Sequence, residues 1–351
     1  MTDIFLNQSN VCCVSDIHIG VHQNSSQWHD ITRDWAKWLR AELNRKQITD
    51  IIISGDFFHY RDEVAVNTIH FATEILQLWK DFNIIMVVGN HDAYYKDRSD
   101  VNSLSVLNGW DNITVISTPT CVNLLGKKVM FCPWGTQLNE IEKSDVIFGH
   151  FEIQSFKQNM FKICSDGFNA SDILKKSSLS ISGHFHLRDE RKYKDGTILY
   201  LGNPFQMDFG DVESVKGYYV LDFSTLKYEF TENTISPSHK KILLSDLVAI
   251  GSLTDEVRDN FKNNFIKFIV DKNVSSDEMD IILQKLFTLN PISINVDYAA
   301  NFNKYNLDEE TIHDFSGIDV VQAIEEFINL MDIDNKDEVI KYTSSLYKQC
   351  I

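Results

Sequence analysis

Proline is scarce in this chain, five residues in 351, and no segment is repetitive or of low complexity. Collagen-like, proline-rich and repeat architectures are thereby excluded, and an ordinary globular composition remains. No apolar run reaches the ~18 residues that a membrane span requires. The opening MTDIFLNQSN lacks the basic segment followed by an apolar one that marks an export signal. A soluble, cytoplasmic protein with no membrane contact is expected. The six cysteines, at 12, 13, 121, 132, 164 and 350, contain no C-x-x-C pair. Cys12 and Cys13 are neighbours in one apolar run and point to opposite faces, so reduced core thiols are expected. Basic charge is also short, with 33 Lys and Arg against 50 Asp and Glu, a net −17. That balance argues against a protein that coats nucleic acid, and it leaves room for a local cationic site.

What the chain does have is a pattern repeated five times. A short, β-branched apolar run ends in a polar cluster: VCCVS before Asp16 and His18, DIIIS before Gly55-Asp56, IIMVV before Gly89-Asn90-His91-Asp92, DVIF before Gly149-His150, and LSIS before Gly183-His184-Phe185-His186. Runs of strand length without alternation suit strands buried on both faces. The clusters then fall at strand carboxyl ends, where open α/β sheets place their sites. Glycine precedes the first polar residue in four of the five, as a tight turn or close backbone approach requires.

Between these runs, 28–45 and 64–79 carry apolar residues at helical spacing, which predicts β-α-β-α-β crossovers and a parallel sheet. After residue 110, strand-like segments separated by Pro119 and Gly126 predict a second sheet, and TILYLG, GYYVLDF and KYEFTEN close the region. An α/β (α+β) sandwich flanked by helices is the expected fold over 1–235. A linker near ISPSHKK leads to a β-α-β unit over 236–303, its helix capped by Ser275 or Ser276. Two amphipathic helices are expected over 304–351, the first with Val320, Ile324, Phe327 and Met331 on one stripe.

Carboxylate, imidazole and amide groups converging from five strand ends predict a two-metal centre. Two divalent ions ~3.5–4 Å apart need a shared anionic ligand, and Asp56 is the candidate. The donor mixture favours Mn²⁺, Fe or Zn²⁺ over Mg²⁺, and the absence of cysteine weakens a zinc-only site. With Asp16 and Asp56 the only charged ligands, the centre keeps a charge of about +2 and attracts phosphate despite the acidic surface.

The order D-x-H, G-D-x-x-H, G-N-H-D, G-H, G-H-x-H resembles the calcineurin-like metallophosphoesterase superfamily, and within it the SbcD-type nuclease subunits of double-strand-break repair complexes. Pro133-Trp134, Tyr200-Leu201-Gly202-Asn203-Pro204, Gly210-Asp211 and Lys216-Gly217 extend the likeness. The tail resembles that of the recombination-endonuclease small subunits of T-even bacteriophages. By position, the resemblance implies one ion on Asp16, His18, Asp56 and His186 and another on Asp56, Asn90, His150 and His184. It implies His91 as the catalytic histidine, with His59 either supporting the site or facing the substrate. Asp92 is a candidate for orienting His91 or, equally, for capping the helix that follows. The resemblance further implies a manganese-dependent 3′→5′ exonuclease and structure-dependent endonuclease acting on DNA ends. A capping domain, C-terminal helices docked on an SbcC-type coiled-coil ATPase, and a homodimer through 64–79 and 99–108 complete that expectation. If the chain is phage-encoded, the compartment is the bacterial host cytoplasm. A small-substrate phosphatase or cyclic-nucleotide phosphodiesterase, and a DNA-tethering scaffold, are the alternative readings. Arg188, Arg191 and Lys192, just past the last ligand strand, are candidates for holding DNA phosphates.

Overall fold

In the computed structural model, which describes residues 4–158, 162–250, 254–298, 328 and 335–349, the apolar runs form strands as expected. β1 (Asn10–Val14), β2 (Asp50–Ile53), β3 (Asn83–Val87) and β4 (Ile113–Ile116) lie parallel and adjacent. The antiparallel pair β11 (Gly217–Asp222) and β12 (Lys227–Glu232) extends this sheet beyond β1. A second six-stranded sheet contains β5 (Thr120–Leu124), β6 (Lys127–Cys132), β7 (Val146–His150), β8 (Leu179–Gly183), β9 (Asp189–Tyr193) and β10 (Gly196–Tyr200). Its order is β5-β6-β7-β8-β10-β9.

The missing alternation in the sequence has a direct cause. On one face of the first sheet Val11, Cys13, Ile52, Ile85 and Val87 meet Val129, Phe131, Phe148, Ile181 and Leu199 of the second. On the other face Cys12, Val14, Ile51, Ile53 and Met86 pack against Trp35, Leu39, Phe71 and Ile75 of the helices Ser26–Arg45 and Val66–Leu78. Both faces of each central strand are therefore covered, and each fully buried aliphatic side chain contributes roughly 1.5–3 kcal/mol. The two cysteines fall on opposite faces, and burial pushes both thiols up. No helix among the described residues is long and apolar enough to cross a membrane. Two mixed sheets face to face and flanked by helices are the α/β sandwich expected from the sequence.

The chain falls into two compact units, Met1–Asp297 and Tyr298–Ile351. The expected β-α-β element is present as β14 (Phe265–Val270), the helix Ser276–Phe287 and β15 (Ser293–Tyr298), all but its last residue in the first unit. Ser275 caps the helix, its hydroxyl accepting from the Glu278 amide while Glu278 reaches back to the Ser275 amide. The sequence reading missed β13 (His239–Leu243), which pairs parallel to β14, and the short helices Leu244–Ile250 and Asp255–Phe261. This small sheet has its own core around Phe261, Ile266, Phe268 and Leu286. Phe265 ties it to the sandwich by stacking on Trp28, centroids 5.3 Å apart. In the second unit, Lys336–Gln349 is helical as expected. The predicted stripe of Val320, Ile324, Phe327 and Met331 lies outside the described residues.

Candidate metal centre

The loops that follow β1 and β2 stay paired beyond the strands. The Asp16 amide donates to the Gly55 carbonyl at 3.0 Å, and the His18 amide donates to the Asp56 carbonyl at 3.0 Å. To turn the side chains inward there, Asp16, His18 and Asp56 take left-handed backbone angles of φ 56°, 52° and 54°, and His184 takes 89°. Such conformations cost of order 1–3 kcal/mol each and persist where the surroundings enforce them. Two of the preceding glycines are required by close approach. A Cβ at Gly55 would sit 2.1 Å from Nδ1 of His150, and one at Gly89 would sit 2.2 Å from Oδ1 of Asp56.

All seven expected ligands converge. Asp16, His18 and His186 present donor atoms within 4.8 Å of one another, and so do Asp56, His150 and His184. Between the groups, Oδ2 of Asp56 lies 3.7 Å from Nε2 of His18 and 3.3 Å from Nε2 of His150, the position a shared ligand must hold. Oδ1 of Asn90 is 2.8 Å from Nε2 of His150 and 2.7 Å from Nδ1 of His184. Nε2 of His18 and Nε2 of His186 face each other at 3.0 Å. Donor atoms of several residues crowding this closely, with two of the residues acidic and four imidazoles, fit a pair of divalent cations.

The electrostatics point the same way. Burial alone would raise the pKa of Asp56, but His150, His18 and His91 around it hold the carboxyl well below the usual range. It is thus ionised and available as a bridge. Burial drives the His18 pKa down against the opposing pull of Asp56, keeping that imidazole neutral, as a ligand must be. His150 goes the other way: burial lowers it, yet the charge and hydrogen bond of Asp56 prevail and push it up to about 9, so a cation there has to displace the second ring proton.

His91 sits beside these groups, its amide donating to Oδ1 of Asp56 at 2.8 Å and its ring 4.8 Å from that of His18. Its Nδ1 is 2.5 Å from the carbonyl oxygen of His59, so Nδ1 carries the proton and Nε2 is the free ring nitrogen. His59 thus supports His91 through its backbone, while its own ring rests on His18, the two Nδ1 atoms 3.2 Å apart. The expectation for Asp92 needs correction. Its buried carboxylate accepts from the amides of Phe57, Phe58 and Gly89 at 3.3, 2.9 and 3.0 Å. Those bonds lock the second motif to the third and leave no contact with the His91 ring, so Asp92 is a positioning residue.

The candidate phosphate contacts lie at the edge of the second sheet. Arg188 lies over the Phe230 ring at 4.3 Å and donates to the Tyr219 hydroxyl. Arg191 covers Phe156 at 3.8 Å and pairs with Asp189. Lys192 pairs with Glu190 at 3.0 Å. Each of the three thus has a partner on its own surface, while Arg188 and Lys192 stay exposed to solvent.

Three participants were missed. Nε of Arg61 donates to the Asn90 carbonyl at 2.9 Å, Trp134 packs 5.1 Å from the His184 ring, and Glu152 lies 3.2 Å from Nε2 of His184. Only Trp134 stood in a segment singled out in the sequence. Beneath the last motif, Nζ of the buried Lys216 donates to the His186 carbonyl at 2.7 Å, to Asp211 at 2.6 Å and to Asn203. That network explains why Asn203, Asp211 and Lys216 accompany the ligand motifs.

Residues 9–199 match the family model described as calcineurin-like phosphoesterase. The chain belongs to that family. The phosphoesterase is also similar to the protein described as exonuclease subunit 1 of Enterobacteria phage T4, 28% identical over 349 residues, covering 95% of this chain and 97% of that one. A solved structure described as a novel archaeal phosphodiesterase is 14% identical, with a TM-score of 0.37, covering 64% of this chain and 99% of that chain. Family and geometry together make the chain a metal-dependent phosphodiesterase.

Proposed function

We propose that this phosphoesterase is the nuclease subunit of a two-component DNA-processing complex, cleaving phosphodiesters at DNA ends with a manganese pair. The observation that carries the reading is the likeness to a phage exonuclease subunit, which runs through the sandwich, the small sheet and the tail alike. A small-substrate phosphatase has no evident use for the last two.

When bound, the cation pair supplies Lewis-acid activation of water and neutralises charge on the phosphoryl oxygens. The chain's own residues do the rest. Asp56, ionised and central, fixes the spacing of the two donor groups. His91, its Nδ1 proton committed to the His59 carbonyl, presents Nε2 to the leaving oxygen; as the imidazolium it gives the Nε2 proton to that oxygen and is left as the neutral ring. Arg61 and Asp92 hold the Asn90-His91 backbone in register with Asp56.

The word subunit in the relative's description supports a partner, which we take to be an SbcC-type ATPase engaging the C-terminal helices. A homodimer is proposed through 64–79 and 99–108, where Val66, Ile69, Val101 and Val106 are exposed. End-labelled duplex DNA, incubated with manganese or magnesium and with or without the ATPase, tests the whole reading. Mononucleotide release from 3′ ends, strongest with manganese, is expected. Hydrolysis of phosphomonoesters without any DNA cleavage would overturn it.

A further inference from the structure

The two histidines that share Asn90 Oδ1 reach it in opposite senses. His150 turns Nε2 inward, and its outer nitrogen, Nδ1, donates to the backbone carbonyl of Ser54 at 2.8 Å. His184 turns Nδ1 inward, and its outer nitrogen, Nε2, lies 3.2 Å from Oε1 of Glu152. One imidazole therefore leans on a neutral carbonyl and the other on a carboxylate. Glu152 is not loosely placed. Its carbonyl accepts from the Phe168 amide at 2.9 Å, and the next residue, the fully buried Ile153, bridges to Phe168. Gly167 permits that approach, since a Cβ there would lie 2.4 Å from the Glu152 carbonyl oxygen. The side chain also lines a cavity of about 340 Å³ with His184 and His186, so it stands at the mouth of the centre.

We infer that Glu152 is a positioning residue of the metal centre, fixing the His184 tautomer and raising its strength as a donor to the ion shared with Asp56, Asn90 and His150. With the Nε2 proton given to Glu152, the Nδ1 lone pair is presented where Asn90 Oδ1 and His150 Nε2 converge. A carboxylate in that outer place makes the imidazole more basic than a backbone carbonyl does. The inference rests on the reading of His184 as a metal ligand and assigns the two ions unequal support: in the other group the outer nitrogen of His18, Nδ1, faces the His59 ring rather than a carboxylate.

Calorimetric titration of the full chain with Mn²⁺ tests this, using Glu152→Gln, Glu152→Ala and His184→Ala, with electron paramagnetic resonance of the bound manganese and melting of the metal-free proteins. Wild type is expected to bind two ions. Both Glu152 variants should bind one of them about 10–100-fold more weakly, while still filling at high manganese and melting like wild type without metal. His184→Ala should lose that ion. Unchanged affinity in both Glu152 variants alongside loss in His184→Ala overturns the inference alone, as does a lowered melting temperature in metal-free Glu152→Gln with unchanged affinity. Unchanged binding in His184→Ala overturns the ligand assignment itself.

Discussion

The Nδ1 atom of His91 and the carbonyl oxygen of His59 are 2.5 Å apart, and this contact decides which end of the His91 ring is free for chemistry. Because the proton on Nδ1 is held by a backbone group, the free nitrogen does not depend on any other side chain. His91 converges with His18 and His59, and lies outside the two groups that contain a carboxylate, Asp56, His150, His184 and Asp16, His18, His186. Substituting His91→Asn should leave manganese binding intact while slowing cleavage about 10²–10⁴-fold, the usual worth of proton transfer by a positioned side chain. Single-turnover cleavage beside a metal titration checks both halves. Cleavage within a few-fold of wild type would remove His91 from the chemistry.

Asp56 should behave differently. It stands between the two donor groups, so Asp56→Ala is expected to lose both ions and all activity together. The metal-free variant should keep its fold, since the carboxylate lies among its own ligands rather than in the apolar layers. Metal analysis after desalting and circular dichroism would check this. One ion still bound would show that the bridge is not shared.

Asp92 carries a different signature. Truncation to Ala leaves the amides of Phe57, Phe58 and Gly89 without their acceptor in a buried place. An unsatisfied buried donor costs roughly 1–3 kcal/mol, so Asp92→Ala should be destabilised by about 3 kcal/mol or more. Denaturant unfolding measures this. A variant of wild-type stability with slow cleavage would return Asp92 to the catalytic group.

A pH effect on stability is expected from His239. It is buried between Phe265 and Phe209, its Nδ1 has no hydrogen-bond partner, and burial lowers its pKa to about 4. The folded protein therefore holds it neutral, while the unfolded chain takes up the proton below its ordinary value of about 6.5. Stability is thus lost as pH falls from about 6.5 to 4 and levels off below that, a contribution on the order of 2–3 kcal/mol. His239→Phe should melt with a shallower pH dependence than wild type across this window. Parallel melting curves for the two proteins would contradict the assignment.

Much of the site was legible because the strands that carry it are buried on both faces. An apolar run that stops at Gly-Asp or Gly-His announces both the strand and its end. That pattern located the five clusters, while the choice of Asp16, His18, Asp56, Asn90, His150, His184 and His186 within them came with the family resemblance. Residues that act through the backbone left no such mark: the service of His59 to His91 and of Arg61 to Asn90 depends on carbonyl positions. The grip of Asp92 on three amides is equally invisible in the order of residues. In the 188–194 segment the charge was legible, but not that Arg188 and Arg191 lie over Phe230 and Phe156. In the small sheet, β13 was hidden because HKKIL reads as a basic linker until β14 is there to pair with it.

The most direct test of the central claim is anomalous diffraction from crystals soaked in manganese. Two peaks are predicted, one among Asp16, His18 and His186, the other among Asn90, His150 and His184, with the Asp56 carboxylate touching both. A single peak, or two that do not share Asp56, would contradict it.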